Sequence, residues 1–168
     1  MLALGCWSAL FYLIPADTIV ESVGISNSYI VSFGISLVAG FSVFTGTAAY
    51  AAVIEFSRGG ANALYLGLAS GIGLFLSDSI FYVLVMRGRE SIESKFGPRL
   101  EKLNRLLIRV PDPVVYLGIF IFCAFGPIPN DIILAALMVT GYEYRKFWPV
   151  LLAADVTFML FLSFLFQQ

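Results

Sequence analysis

The chain has 168 residues, a formal net charge of −1, and a composition that is 60% apolar and only 12% charged; its mean hydropathy is +0.91. Soluble domains carry about 25% charged residues, and half that content cannot cover a water-facing surface of this size. A soluble globule, a disordered chain and a nucleic-acid-binding protein are excluded, and a single all-α integral membrane domain over residues 1–168 is expected.

Other classes fall with the composition. There is no histidine, which removes His-based acid–base catalysis, Ser-His-Asp triads and ordinary zinc sites. Cys6 and Cys123 lie far apart inside apolar runs, as small core residues do, and form no disulfide framework. No phosphate loop or dinucleotide fingerprint occurs. The sequence therefore predicts a protein that is not an enzyme, with no cofactor and no metal.

A membrane-spanning helix needs about 20 apolar residues. In chain order, Met1–Pro15 is uncharged but short, and Asp17 and Glu21 follow it. Residues 1–21 read as an N-terminal apolar helix and short loop. Ser22–Ile54 carries no charge and is too long for one simple helix, whereas Ala61–Met86 is a full span interrupted only by Asp78. Residues 87–112 hold the basic cluster: Arg87, Arg89, Lys95, Arg99, Lys102, Arg105 and Arg109 supply seven of the ten basic residues and leave residues 87–109 at net +4. The positive-inside rule makes this loop cytoplasmic. Leu100, Leu103 and Leu107 recur at helical spacing within it. The loop reads either as an amphipathic helix on an anionic membrane surface or as a solvated linker.

Pro113–Tyr142 is apolar apart from Asp131 and is broken by Pro127 and Pro129. Proline removes a backbone donor and disfavours helical geometry before it, and such a break is tolerated at membrane depth only where protein or a wet cavity satisfies the backbone. Arg109 precedes the stretch and Arg145-Lys146 follows it. With both flanks basic, a helix–break–helix hairpin that enters and leaves on one side fits better than a straight span. Phe147–Phe166 is the last span, interrupted by Asp155. Pro149 is expected in its first turn, and Tyr142, Tyr144 and Trp148 in an interfacial belt.

Sliding the chain by 84 residues matches Gly34-Ile35 with Gly118-Ile119, Phe41 with Phe125, and Ala51-Ala52 with Ala135-Ala136; Thr45-Gly46-Thr47 then meets Pro129-Asn130-Asp131. The chain divides accordingly into a first repeat over 22–86 and a second over 113–168. Each is a re-entrant hairpin followed by a spanning helix, and the two have opposite orientation. Inverted-topology repeats of this kind build many secondary transporters.

Asp131, beside Asn130 at the proline break, costs about 2.5–3.5 kcal/mol if charged at the bilayer centre. It reads as a transport-site acid at freed helix ends, or as the N-cap of the second half-helix. Asp78 and Tyr82 lie one turn apart on one face, behind Gly67, Gly71, Gly73 and Ser77 at small-residue spacing and ahead of Arg87. They suit a proton relay or a phosphate ladder, or else an internal tie.

Phe125-Gly-Pro-Ile-Pro-Asn-Asp131, then Gly141 and Tyr144-Arg145-Lys146-Phe147, resemble the second half of the DedA family, also called the VTT or SNARE-associated Golgi protein family. Gly73-x-x-x-Ser77-Asp78-x-x-x-Tyr82 with Arg87 and Arg89 resembles its first-half motif. The likeness runs from about Gly34 to Phe166. Ser77 and Val85 stand where the family usually has glycine, the arginine falls one residue late, and Thr45-Gly46-Thr47 replaces the prolines and acid of many first hairpins.

The resemblance implies a scramblase or flippase of phospholipid or undecaprenyl phosphate in a prokaryotic inner membrane. Its partners would be phosphate headgroups of membrane lipids, with room for proton or sodium coupling and for a homo-oligomer. The missing first-hairpin acid favours simple scrambling. The implied substrate- or ion-binding residues are Pro127, Pro129, Asn130, Asp131, Asp78, Tyr82, Arg87, Thr45, Gly46, Thr47 and Arg145. A proton-coupled small-solute or drug exporter and a non-transport membrane scaffold are the alternatives.

Overall fold

A computed structural model of the chain describes residues 22–39, 43–87, 110–125, 134, 137 and 142–167. The expectations for Met1–Pro15, for most of the 87–112 loop and for Pro127, Pro129, Asn130 and Asp131 lie outside the described residues. Those described form five helices and no strand: α1 (Ile25–Leu37), α2 (Val43–Arg58), α3 (Ala63–Arg87), α4 (Asp112–Phe125) and α5 (Tyr144–Leu165).

Length separates the helices into two kinds. At 1.5 Å per residue, the 25 residues of α3 and the 22 of α5 reach about 37 and 33 Å, enough for a hydrocarbon core about 30 Å thick. Both are apolar enough to cross a membrane. The 13 residues of α1 and 14 of α4 reach only about 20 Å.

Close approach of backbones organises the bundle. A Cβ built on Gly71 would lie 2.6 Å from Val156 Cα, and one on Gly67 would lie 2.7 Å from Leu160 Cα. Only glycine lets α3 and α5 approach so closely. Their polar contacts fix an antiparallel register. Ser163 Oγ donates to the Ala63 carbonyl at one end, and Tyr82 Oη donates to the Tyr142 carbonyl at the other, each at 2.9 Å.

Each short helix runs parallel to the long helix that follows it. Tyr29 of α1 accepts the Asn62 amide, Ser32 bonds to Ser70 at 2.6 Å, and a Cβ on Gly73 would meet the Phe33 carbonyl at 2.6 Å, so both chains advance together. Asp112 at the start of α4 accepts the Tyr142 hydroxyl at 2.8 Å, while Phe125 at its end packs 6.2 Å from Phe161 of α5. Two apolar cores result, one on each side of the α3–α5 crossing. One joins Ala49, Val53, Phe56, Leu66, Leu74 and Met159. The other joins Ile119, Cys123, Leu134, Leu137, Phe147 and Leu151.

Two local details differ from the sequence reading. Helix α1 ends at Leu37, ahead of Thr45-Gly46-Thr47, and those residues sit in the first turns of α2. Thr45 Oγ1 donates to the Ala39 carbonyl at 3.0 Å, satisfying an acceptor near the break. Pro149 lies inside α5 instead of in its first turn, because the helix begins at Tyr144, earlier than expected. It thereby withholds an amide from the Arg145 carbonyl.

Replacing Gly71 with alanine drives a Cβ into the α5 backbone and costs about 1–3 kcal/mol. Nothing lies within 4 Å of a Cβ at Gly118, so Gly118→Ala is neutral or stabilising by up to about 1 kcal/mol. Thermal unfolding of the two variants in detergent distinguishes the positions.

Candidate functional site

Polar side chains are buried among the apolar cores, and the exterior is apolar. The buried residues of α1 are Ser28, Ser32 and Ser36, one turn apart, while Ile30 is 70% exposed and Ile25 and Val31 also face outward. In α3, Ser70, Ser77 and Asp78 are buried, whereas Leu64, Ile72, Leu76, Ile80, Val83 and Leu84 are exposed. Helix α5 buries Asp155 and Ser163 and exposes Phe161, Phe164 and Leu165. In α1, whose buried residues are all serine, this reverses the arrangement of a water-soluble helix.

Two carboxylates stand in this interior. Asp78 is 1% exposed and Asp155 0%. Gly71 opposes Val156, and Ser79 hydrogen-bonds to Tyr144, so Asp155 stands nearer the middle of the pair and Asp78 nearer the end where α5 begins. Tyr82, Cys123 and Ala154 share one core, with Tyr144 packed against it. Asp155 is midway along α5 and Asp78 is two turns from the end of α3.

Beyond Asp78, where α3 ends and α5 begins, Tyr82, Met86, Tyr142, Glu143, Tyr144 and Arg145 line an open cleft of about 450 Å³. Its aromatic wall is rigid. Tyr82 packs 5.0 Å from Tyr144 and 5.6 Å from Phe147, and Tyr144 packs 5.4 Å from Phe147. The hydroxyls are committed elsewhere. Ser79 donates its own proton to the Phe75 carbonyl, so in the Ser79–Tyr144 bond the phenol is the donor. Tyr82 donates to the Tyr142 carbonyl, and Tyr142 to Asp112. Burial, and then the carboxylate of Asp112, hold the Tyr142 phenol protonated above the ordinary tyrosine range.

Of the residues singled out in the sequence, Asp78, Tyr82 and Arg145 are thus brought to one end of the α3–α5 pair. Arg87 is exposed at the same end. Thr45, Gly46 and Thr47 belong to α2. Two features were not picked out as site elements: the serine stripe of α1 and the tyrosine wall. The i, i+4, i+8 spacing of Ser28, Ser32 and Ser36 within an uncharged stretch was the available signal for the first. Among the described residues no group of His, Cys, Asp and Glu could hold a metal ion.

The Tyr142–Asp112 bond has a defined pH dependence. A phenol whose folded pKa is raised stabilises the fold below its unfolded value of about 10 and ceases to do so as pH rises beyond it. Tyr142→Phe costs about 0.5–1 kcal/mol at pH 7 and shows a shallower loss of thermal stability than the parent above about pH 10, as followed by circular dichroism. The chain matches no family model, no curated protein and no solved structure.

Proposed function

We propose that this chain is an integral membrane protein of the DedA type that moves a phosphate-bearing lipid headgroup between leaflets. The observation that carries the reading is the burial of two aspartates and a row of serines among the apolar core residues, behind an exterior of isoleucine, leucine and phenylalanine. An apolar exterior suits hydrocarbon as its solvent, and intramembrane acids that face a bundle interior mark substrate or ion pathways. A headgroup would travel along this polar interior while its acyl chains stay in lipid.

The re-entrant, inverted arrangement is part of the same proposal. Helices α1 and α4 are too short to span, and each hairpin returns to its starting end. Asp112 touches Tyr142 across 30 residues, and Tyr29 touches Asn62 across 33. Because α3 and α5 are antiparallel, the two hairpins would enter from opposite faces. Arg87, Arg145 and Lys146 support a cytoplasmic location for the Asp112–Tyr142 end, and the resemblance supports a prokaryotic inner membrane as the host. Asp78 and Asp131 are the acids proposed to act on the cargo or on a coupling proton or sodium ion.

Reconstituted into vesicles, the protein should accelerate transbilayer movement of fluorescent phospholipid, read by dithionite quenching. Asp78→Asn and Asp131→Asn should each slow it about tenfold, equivalent to roughly 1.4 kcal/mol of barrier. Rates equal to those of protein-free vesicles, for phospholipid and polyprenyl phosphate alike, would overturn the function. Separately, single cysteines from Asp112→Cys and Glu143→Cys should react with an impermeant maleimide from one side, and Arg58→Cys from the other. Labelling of the first two from opposite sides would overturn the hairpin.

A further inference from the structure

We infer that the cleft at the junction of α3 and α5 is a recognition site for a zwitterionic headgroup, a phosphate and an ammonium joined by a short bridge. The inference rests on the lipid-movement reading and names the cargo that the cytoplasmic mouth would select. At about 450 Å³ the cleft falls in the range of small-molecule sites, about 300–1,000 Å³.

The walls favour an ammonium. Tyr82, Tyr142 and Tyr144 send their hydroxyl protons to Tyr142 O, Asp112 and Ser79, so what they offer a ligand is ring surface, which attracts cations through its quadrupole. The Lys146 ammonium stands 5.9 Å from the centroid of the Tyr142 ring, so a ligand ammonium would share or displace it there. Glu143 adds a carboxylate to the same lining.

The phosphate has its own partners. Arg145 lies two residues from Glu143 in the lining, and its guanidinium suits a phosphate oxygen pair. Both side chains are exposed, and among the described residues neither is held in an ion pair. The first turn of α5 begins here, and Glu143 makes no side-chain capping hydrogen bond to it, so the positive end of the helix dipole reinforces Arg145. A carboxylate and a guanidinium on one rim, over an aromatic floor, complement the two charges of a phosphoethanolamine or phosphocholine group. An anionic headgroup would meet Glu143 as a like charge.

Native mass spectrometry of the full chain in maltoside detergent tests this with dihexanoyl phosphatidylcholine, dihexanoyl phosphatidylglycerol and free phosphocholine. The zwitterionic lipid should bind about fivefold tighter than the anionic one of equal chain length, the scale of one exposed cation–π contact. Glu143→Gln, an exposed change that leaves the core intact, should lower that ratio without abolishing it, because the ring surface remains. Arg145→Gln should weaken both lipids. Displacement by free phosphocholine at matching concentration assigns the site to the headgroup alone, and displacement only by the lipid assigns it to the lipid; both support the chemistry. Equal binding of the two lipids, or a ratio that Glu143→Gln leaves unchanged, overturns the headgroup inference and leaves lipid movement standing. An intact preference alongside background rates in the vesicle assay overturns lipid movement and leaves the site.

Discussion

The contact of Gly67 and Gly71 with Leu160 and Val156 is the constraint on which the other features depend. It brings the α3 and α5 backbones together along their length and fixes their antiparallel register. With that register set, Asp155 faces the middle of the pair, Asp78 lies toward one end, and Tyr82 meets Tyr142 and Tyr144. In an apolar solvent no hydrophobic force would drive two such helices together. Small residues and interior hydrogen bonds do so instead, among them Ser163 to Ala63 and Ser79 to Tyr144.

The same contact gives the molecule two halves. Each short helix packs alongside the long helix that follows it in the chain, and each half has its own apolar core. The halves are not chemically equivalent. One end of the α3–α5 pair carries Arg58 with its partner Glu55 at 3.6 Å, and Phe166 beneath the guanidinium at 5.3 Å. The other end carries the tyrosine cleft and an excess of basic residues. A pathway between them would join unlike mouths, with the two aspartates unevenly spaced along it.

Much of this was legible in the sequence. The charge-free runs place α3 and α5 within a few residues of their observed ends, because length and apolarity alone define a span. Gly67, Gly71 and Gly73 announced a close helix contact through their spacing. The division of Ser22–Ile54 into two helices follows from its length. What sequence reading missed depended on which way a face points. In a uniformly apolar helix such as α1, hydrophobic periodicity carries almost no signal, and the buried face is marked by serine, a residue ordinarily read as exposed. The break before α2 was misplaced for a related reason. Thr45-Gly46-Thr47 looks like a loop, yet it is helical, with Thr45 serving the Ala39 carbonyl. Tyr142 and Tyr144 match what interfacial tyrosines look like, and only the fold brings them beside Tyr82.

The hydrogen bond between Tyr142 and Asp112 has an entropic meaning. It closes a loop of about 30 residues, and bringing the ends of such a loop together costs about 3 kcal/mol in chain entropy. One such bond returns about 1 kcal/mol. The bond therefore cannot be what folds the chain back on itself. That work falls to the packing of Ile119, Cys123, Leu134 and Leu137 against Phe147 and Leu151. The phenol and carboxylate only fix where Tyr142 sits beside Asp112, so breaking them would loosen the position of the rim without separating α4 from α5.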